Sequence, residues 1–221
     1  MNFDNNYGAW PKLRLPEHFI QKMKARFLNR RHEEISLPYS TVFARTDDTG
    51  SIGALIRLKF EDYRLTTNLS FQAFAKYLLK IALELNVRST TELLEINHDG
   101  KIIGELLLDM CWEFGQIIDI TDLILFSSSP NAAIGSYMHM LNYSVGILVE
   151  VKSVSINKKV LKDLADLASM AIISQERSFA SITPTFSKIF EACPIELGQK
   201  LKGYDIDINE VLFVRMSQLS S

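Results

Sequence analysis

Long apolar runs are missing from this chain. No stretch reaches the roughly 20 apolar residues that a membrane-spanning helix needs. The N-terminal region holds no basic segment followed by an apolar core of the signal-peptide kind, so a cytoplasmic location is the expectation. Cysteine is scarce, with two residues, which excludes a disulfide framework. Cys111 in a helical pattern and Cys193 near a proline both read as buried thiols. A dominant charge is absent as well: 24 Lys and Arg against 26 Asp and Glu leave a net charge of -2. That balance gives no polyelectrolyte attraction to DNA and none to a membrane surface.

The usual signatures of chemistry are missing too. The four histidines, His18, His32, His98 and His139, are not spaced with one another or with a cysteine as zinc ligands would be. No G-x-x-x-x-G-K-S/T or G-x-G-x-x-G is present to cradle a phosphate, and no G-x-S-x-G elbow presents a serine. No cofactor and no metal are expected, and enzyme chemistry on a small substrate has little support.

What is present is a pattern written twice. An apolar strand from Tyr39 to Arg45, a turn at Asp47 to Gly50 and a strand from Ile52 to Phe60 lead into an amphipathic helix from Ser70 to about Asn86. A helix from Lys101 to Phe114 and a strand from Ile117 to Phe126 complete the first copy. From Ile134 the order recurs: strand to Met140, strand Val145 to Val151, helix Lys158 to Ile173, a shorter helix around Ile195 to Lys202 and a strand Val211 to Met216. The offset of about 90 residues is far longer than a solenoid period, so this is a tandem pair. The spacing of Phe71, Phe74, Ala75, Leu78, Ile81, Ala82 and Leu85 makes one helical stripe, with Ser70 placed as its N-cap. Val160, Leu161, Leu164, Leu167, Ala168 and Ala171 make the equivalent stripe. Each helix must cover a sheet, because the neighbouring strands are apolar and need one face buried.

The predicted fold class is therefore α+β: two tandem, duplicated subdomains of antiparallel sheet packed with helices. Residues 1-38 form an arm and a short basic helix, 39-130 the first subdomain and 131-221 the second. In the arm, a helix after Pro16 places Phe19, Ile20, Met23, Phe27 and Leu28 on one face, and Lys22, Lys24, Arg26, Arg30 and Arg31 on the other. A solvated face on a docked helix is the preferred reading of the basic side, with contact to an acidic partner or RNA as the alternative. The polar connection Ser127 to Asn131 is too short for a free linker, so the halves share a continuous surface.

Asp48-Thr49-Gly50-Ser51 matches the D-T-G-S of aspartic proteases, which set two such carboxylates face to face to activate a water. Ile102-Ile103-Gly104 imitates the second signature of the retroviral type. Against this, Arg45-Thr46-Asp47 precedes the motif where an apolar strand should, and a strong helix lies between the two matches. Asp and Gly are also the residues a tight hairpin selects.

The stretch Ile134-Gly135-Ser136-Tyr137-Met138-His139, followed by Val145-Gly146-Ile147-Leu148-Val149-Glu150-Val151, resembles the G-S-Y-x-H and G-V-L-V-E strand pair of the bacterial elongation factor Ts family. Gly53-Ala54-Leu55-Ile56 before Glu61-Asp62-Tyr63 is similar to its first strand leading into the T-D-F-V motif. Phe71 to Ala75 resembles the following helix, Phe114 to Ile118 stands where the family has I-G-E-N-I, and Val211 to Arg215 resembles its last strand. The resemblance runs from about Phe19 to Arg215 and implies the fold of that family's duplicated core. It also implies a guanine nucleotide exchange factor for elongation factor Tu, whose Asp-Phe tip enters the partner's GTPase domain so that GDP leaves. Matched by position, Asp62 would supply a polar contact and Tyr63 an aromatic wedge. Phe114 and Gly115 correspond to an apolar-glycine pair at the GTPase domain, and His139 to a contact histidine.

The chain departs from the pattern in three places. The family's N-terminal three-helix domain has a counterpart only for its last helix, near Phe19 to Asn29. The helical hairpin before the closing strand has no room between Ile182 and Pro194. The tip reads Glu61-Asp62-Tyr63-Arg64, with a hydroxyl on the wedge and a charge beside it. A protein-interaction module on the same core that does not exchange nucleotide is the alternative these departures raise.

Overall fold

The computed structural model describes residues 16–26, 36–138, 145–174 and 207–215. The first sheet contains β1 (Tyr39–Thr46), β2 (Ile52–Phe60) and β5 (Ile118–Ser127), antiparallel in the order β1-β2-β5. Tyr39 pairs with Phe60 and Thr46 with Gly53 across the first hairpin. Between β2 and β5 the register slips: Arg57 pairs with Asp122 and Leu58 with Ile120, leaving Thr121 as an extra residue. Side chains alternate along a strand, so one inserted residue moves the next ones to the opposite face. The bulge therefore puts Ile118 and Ile120 before it, and Leu123 and Leu125 after it, into the same core.

Helices cover that face. The core joins Phe43 of β1, Ala54, Ile56, Leu58 and Phe60 of β2, and the apolar side of α2 (Leu69–Leu85). The helix begins one residue earlier than its sequence suggests. Asn68, not Ser70, is the N-cap, its side chain accepting from the Phe71 N–H at 3.1 Å. The buried stripe takes Leu79 in place of Leu85, which is 51% exposed in the last turn. Beyond it the polar stretch after Arg88 forms α3 (Thr90–Glu95), capped by Ser89, whose hydroxyl accepts from the Glu92 N–H. The Glu92 carboxylate in turn accepts from the Arg88 N–H, a variant of the capping box that a hydrophobic-stripe search does not detect. Lys101 and Ile102, expected in the next helix, instead form β4 (Lys101–Ile102), paired with β3 (Asn97–His98). Asp99 and Gly100 carry positive φ at the turn between them, as a tight hairpin demands. The helix itself, α4, starts at Ile103 and ends at Phe114.

The basic helix near the N-terminus, α1 (Glu17–Arg26), packs on α4 with Phe19 and Met23 buried. Gly104 makes this contact possible, because a Cβ there would lie 1.9 Å from the Phe19 ring. Lys22, on the basic side, forms an ion pair with Glu105 of α4. Phe27, Leu28, Arg30 and Arg31 lie outside the described residues.

The second sheet contains β6 (Ala132–Met138), β7 (Val145–Lys152) and β8 (Asp207–Arg215), antiparallel in the order β6-β7-β8. One face of it, with Ala133, Val145, Ile147, Val149 and Val151, is covered by Leu161, Ala165 and Ala168 of α5 (Lys158–Ser174). Asn157 caps that helix, accepting from the Val160 N–H at 3.0 Å. Val160, expected in the apolar stripe, is exposed, and Ala165 takes a buried place. The helix expected at Ile195 to Lys202 lies outside the described residues.

The remaining faces of the two sheets meet. Val42, Ala44 and Leu55 from the first pack against Ile134 and Leu148 from the second. Gly146 sits against Val42, where a Cβ would come within 2.7 Å of a valine methyl. The short connection at 128–131 is drawn in by backbone bonds, Ser128 N–H to Ser51 O at 2.8 Å and Ser153 N–H to Asn131 O at 2.9 Å. The result is a helix-sheet-sheet-helix stack in an α+β fold.

Candidate functional site

At one end of the first sheet, β2 stops at Phe60 and α4 stops at Phe114, and the two chain ends are tied together by their own side chains. Gln116 Oε1 accepts from the Glu61 N–H at 3.2 Å and from the Asp62 N–H at 3.1 Å. In return, Glu61 Oε2 accepts from the Ile117 N–H at 3.2 Å. This reciprocal clamp joins segments more than 50 residues apart. It satisfies backbone donors that neither strand nor helix can reach.

After the clamp the chain makes a short 3-10 turn, Tyr63–Thr67, with Asp62 as its N-cap. Asp62 Oδ1 accepts from the Arg64 N–H at 3.0 Å, and Oδ2 accepts from Arg64 Nε at 2.7 Å and also from Nη2. The side-chain bonds from Arg64, then its backbone N–H, hold the Asp62 carboxyl below the usual carboxylate range. The same carboxylate raises the guanidinium of Arg64. The turn is pinned at its base by buried Leu65 and by Gln72 Nε2 donating to Thr66 O at 2.8 Å.

The Tyr63 ring is left projecting. The residue is 62% exposed, and its inner edge rests against Tyr39 with ring centres 5.9 Å apart. Phe114 is half-buried and turns an edge to Phe71 of the core at 6.5 Å, so it serves packing as well as surface. Gly115 adopts φ +63 in the left-handed region and donates its N–H to Cys111 O and Trp112 O, ending α4 as a glycine typically does. The structure thus brings Asp62, Tyr63, Phe114 and Gly115 to one end of the first sheet, joined through Glu61 and Gln116. His139 lies outside the described residues.

The sequence places Glu61 in the tip motif and Gln116 in the motif after α4 but gives neither a role, and it does not link Tyr39 to this end. The signals available for Gln116 are its place in the Phe114 to Ile118 match and its position directly after a helix-ending glycine. The resemblance implies a polar contact to the partner from Asp62, whereas its carboxylate is turned onto Arg64.

Elsewhere, Asp48 to Ser51 is the β1–β2 hairpin turn on an α+β chain, not a catalytic strand end. Asp47 holds this turn. Partial burial pushes its carboxyl up, but the N–H of Ile52, the Thr49 hydroxyl and two further N–H groups outweigh that and leave it lowered. His98 accepts or donates at Tyr77 Oη, 2.8 Å away, and approaches Asp99 at 3.3 Å, which links the β3–β4 hairpin to α2. Among the described residues no group of three or more His, Cys, Asp or Glu could hold a metal, and no helix is long and apolar enough to cross a membrane.

A sequence model of the family described as Elongation factor TS matches residues 65–178. The chain belongs to the elongation factor Ts family. An elongation factor Ts of Janthinobacterium sp. is 26% identical over 143 residues, which is 61% of this chain and 48% of that protein. One of Clostridium acetobutylicum is 28% identical over 121 residues, or 54% of this chain and 39% of that protein. The chain thus matches less than half the length of these curated relatives. The family match takes in Phe114 and Gly115 and opens two residues after Tyr63.

Proposed function

We propose that this chain binds elongation factor Tu through the end of the first sheet and promotes GDP release from it, in the cytoplasm, during translation elongation. It acts by binding, as an exchange factor and not as an enzyme. The observation that supports this is the clamp of Glu61 and Gln116. It gathers an exposed aromatic, Tyr63, and the helix end at Phe114 and Gly115 onto one rigid projection. A projection that prefers the nucleotide-free partner lowers nucleotide affinity by the ratio of its own affinities for the two states, and GDP weakens the projection equally. No proton transfer or nucleophile is required. His139 and the second subdomain, 131–221, would hold another part of the same partner, with 39–130 carrying the tip.

A second reading is a binder of elongation factor Tu that does not exchange nucleotide. The hold of Arg64 on the Asp62 carboxylate favours it, since that group is then not free to act on the partner without rearrangement. Release of a fluorescent GDP analogue from elongation factor Tu of the same organism, with this protein titrated in, separates the two. Faster release supports exchange. Unchanged release with heat of binding in a parallel calorimetric titration supports the second reading. Neither signal excludes both.

A further inference from the structure

The tip shows the solvent a different pair of groups from the one its sequence suggests. Asp62 has its side chain 32% exposed and spends both oxygens on Arg64, capping the turn and gripping the guanidinium. The Arg64 side chain is 78% exposed. Only two of the five guanidinium N–H groups of an arginine are taken by Asp62, and the others extend beyond it. What projects is therefore a tyrosine ring with a cation at its side.

Resting on the reading of this end as the contact for elongation factor Tu, we propose that Arg64 is the specificity-determining residue of the tip. The surface it recognises is an apolar pocket with a carboxylate at its rim. Tyr63 fills the pocket, and Arg64 pairs with the acid through the edge of its fork that Asp62 leaves open. Asp62 is a positioning residue. An exposed ion pair of this kind adds little to stability. It does fix the guanidinium in one orientation before the partner arrives, which removes an ordering cost from binding. A phosphate is the other group that an arginine fork fits, but the tip from Glu61 to Ser70 carries one cation in a chain of net charge -2. A phosphate backbone is gripped by several cations together.

The test is calorimetric affinity for elongation factor Tu of the same organism at low and at physiological salt, for wild type, Arg64→Ala, Arg64→Lys and Asp62→Asn. Arg64→Ala is expected to bind about tenfold more weakly at low salt and to lose most of the salt dependence, as removal of a rim charge does. Arg64→Lys should recover the salt dependence but only part of the affinity. Asp62→Asn, which keeps the acceptor for the Arg64 N–H, should fall between wild type and Arg64→Ala. Equal or tighter binding by Arg64→Ala, with wild type binding normally, overturns the proposal and makes Arg64 a mask over Asp62. Binding of a single-stranded RNA by wild type that is lost in Arg64→Ala overturns it in favour of a phosphate. Absence of binding by wild type itself removes the parent reading and this proposal together, a result distinguishable from the first two.

Discussion

Gln116 Oε1 accepts the backbone N–H of Asp62 at 3.1 Å, and that bond fixes where the tip of the first sheet stands relative to the end of α4. The same oxygen takes the Glu61 N–H, so one side chain serves two donors on a segment that has already left the sheet.

Replacing Gln116 by Ala leaves both donors without this acceptor. The expected cost is about 1–3 kcal/mol, the lower end if water reaches the gap. The midpoint of urea unfolding should drop while the slope stays unchanged. Affinity for elongation factor Tu should fall as well, even if Gln116 touches no partner atom, because the tip loses its anchor.

Gly115 is a second point where backbone decides. A Cβ added there would meet nothing within 4 Å, so Gly115→Ala isolates the conformational cost of the left-handed region. About 1 kcal/mol of destabilisation is expected, read from chemical denaturation, with the far-ultraviolet circular dichroism unchanged.

Gly146 tests the stacking of the sheets. In Gly146→Val the added side chain would start from a Cβ already 2.7 Å from a Val42 methyl. Overpacking of this kind costs about 1–3 kcal/mol or more, and Val42→Ala in the same chain should restore part of it. Independent, additive effects of the two changes would contradict the face-to-face packing.

Acid should loosen the β1–β2 hairpin through Asp47. Its carboxyl is lowered in the folded state, so the stability it contributes is fully present above the unfolded value of about 3.9. That contribution disappears as pH falls through the lower folded value. Asp47→Asn should therefore narrow the gap in stability between neutral pH and pH 3, measured by denaturation at each pH.

Much of this was legible in the sequence, and the remainder has physical reasons for being hidden. The long helices α2 and α5 declare themselves by period, because each buries one face. The strands β1, β2 and β7 do so by apolar runs, because helices cover one side of each sheet and the other sheet covers its second side. α3 and the β3–β4 hairpin did not, since six residues capped by Ser89 and two paired dipeptides have no period to show. The bulge at Thr121 is invisible until β2 is laid beside β5, although it explains why Ile118, Ile120, Leu123 and Leu125 share a core despite the break in alternation. The four tip residues Asp62, Tyr63, Phe114 and Gly115 were named through resemblance. Their union through Glu61 and Gln116 depends on contacts across more than 50 residues, which no local pattern records. The hold on Asp62 comes from an arginine two positions on, a contact that spacing permits but does not require.

The most direct test of the account is release of a fluorescent GDP analogue from elongation factor Tu, with excess unlabelled GDP present. Wild type should be compared with the Asp62→Ala, Tyr63→Ala double variant. The account predicts faster release by wild type and loss of that acceleration in the double variant, with both proteins equally folded. Acceleration that survives the double substitution would contradict it, because nucleotide release would then originate away from the tip.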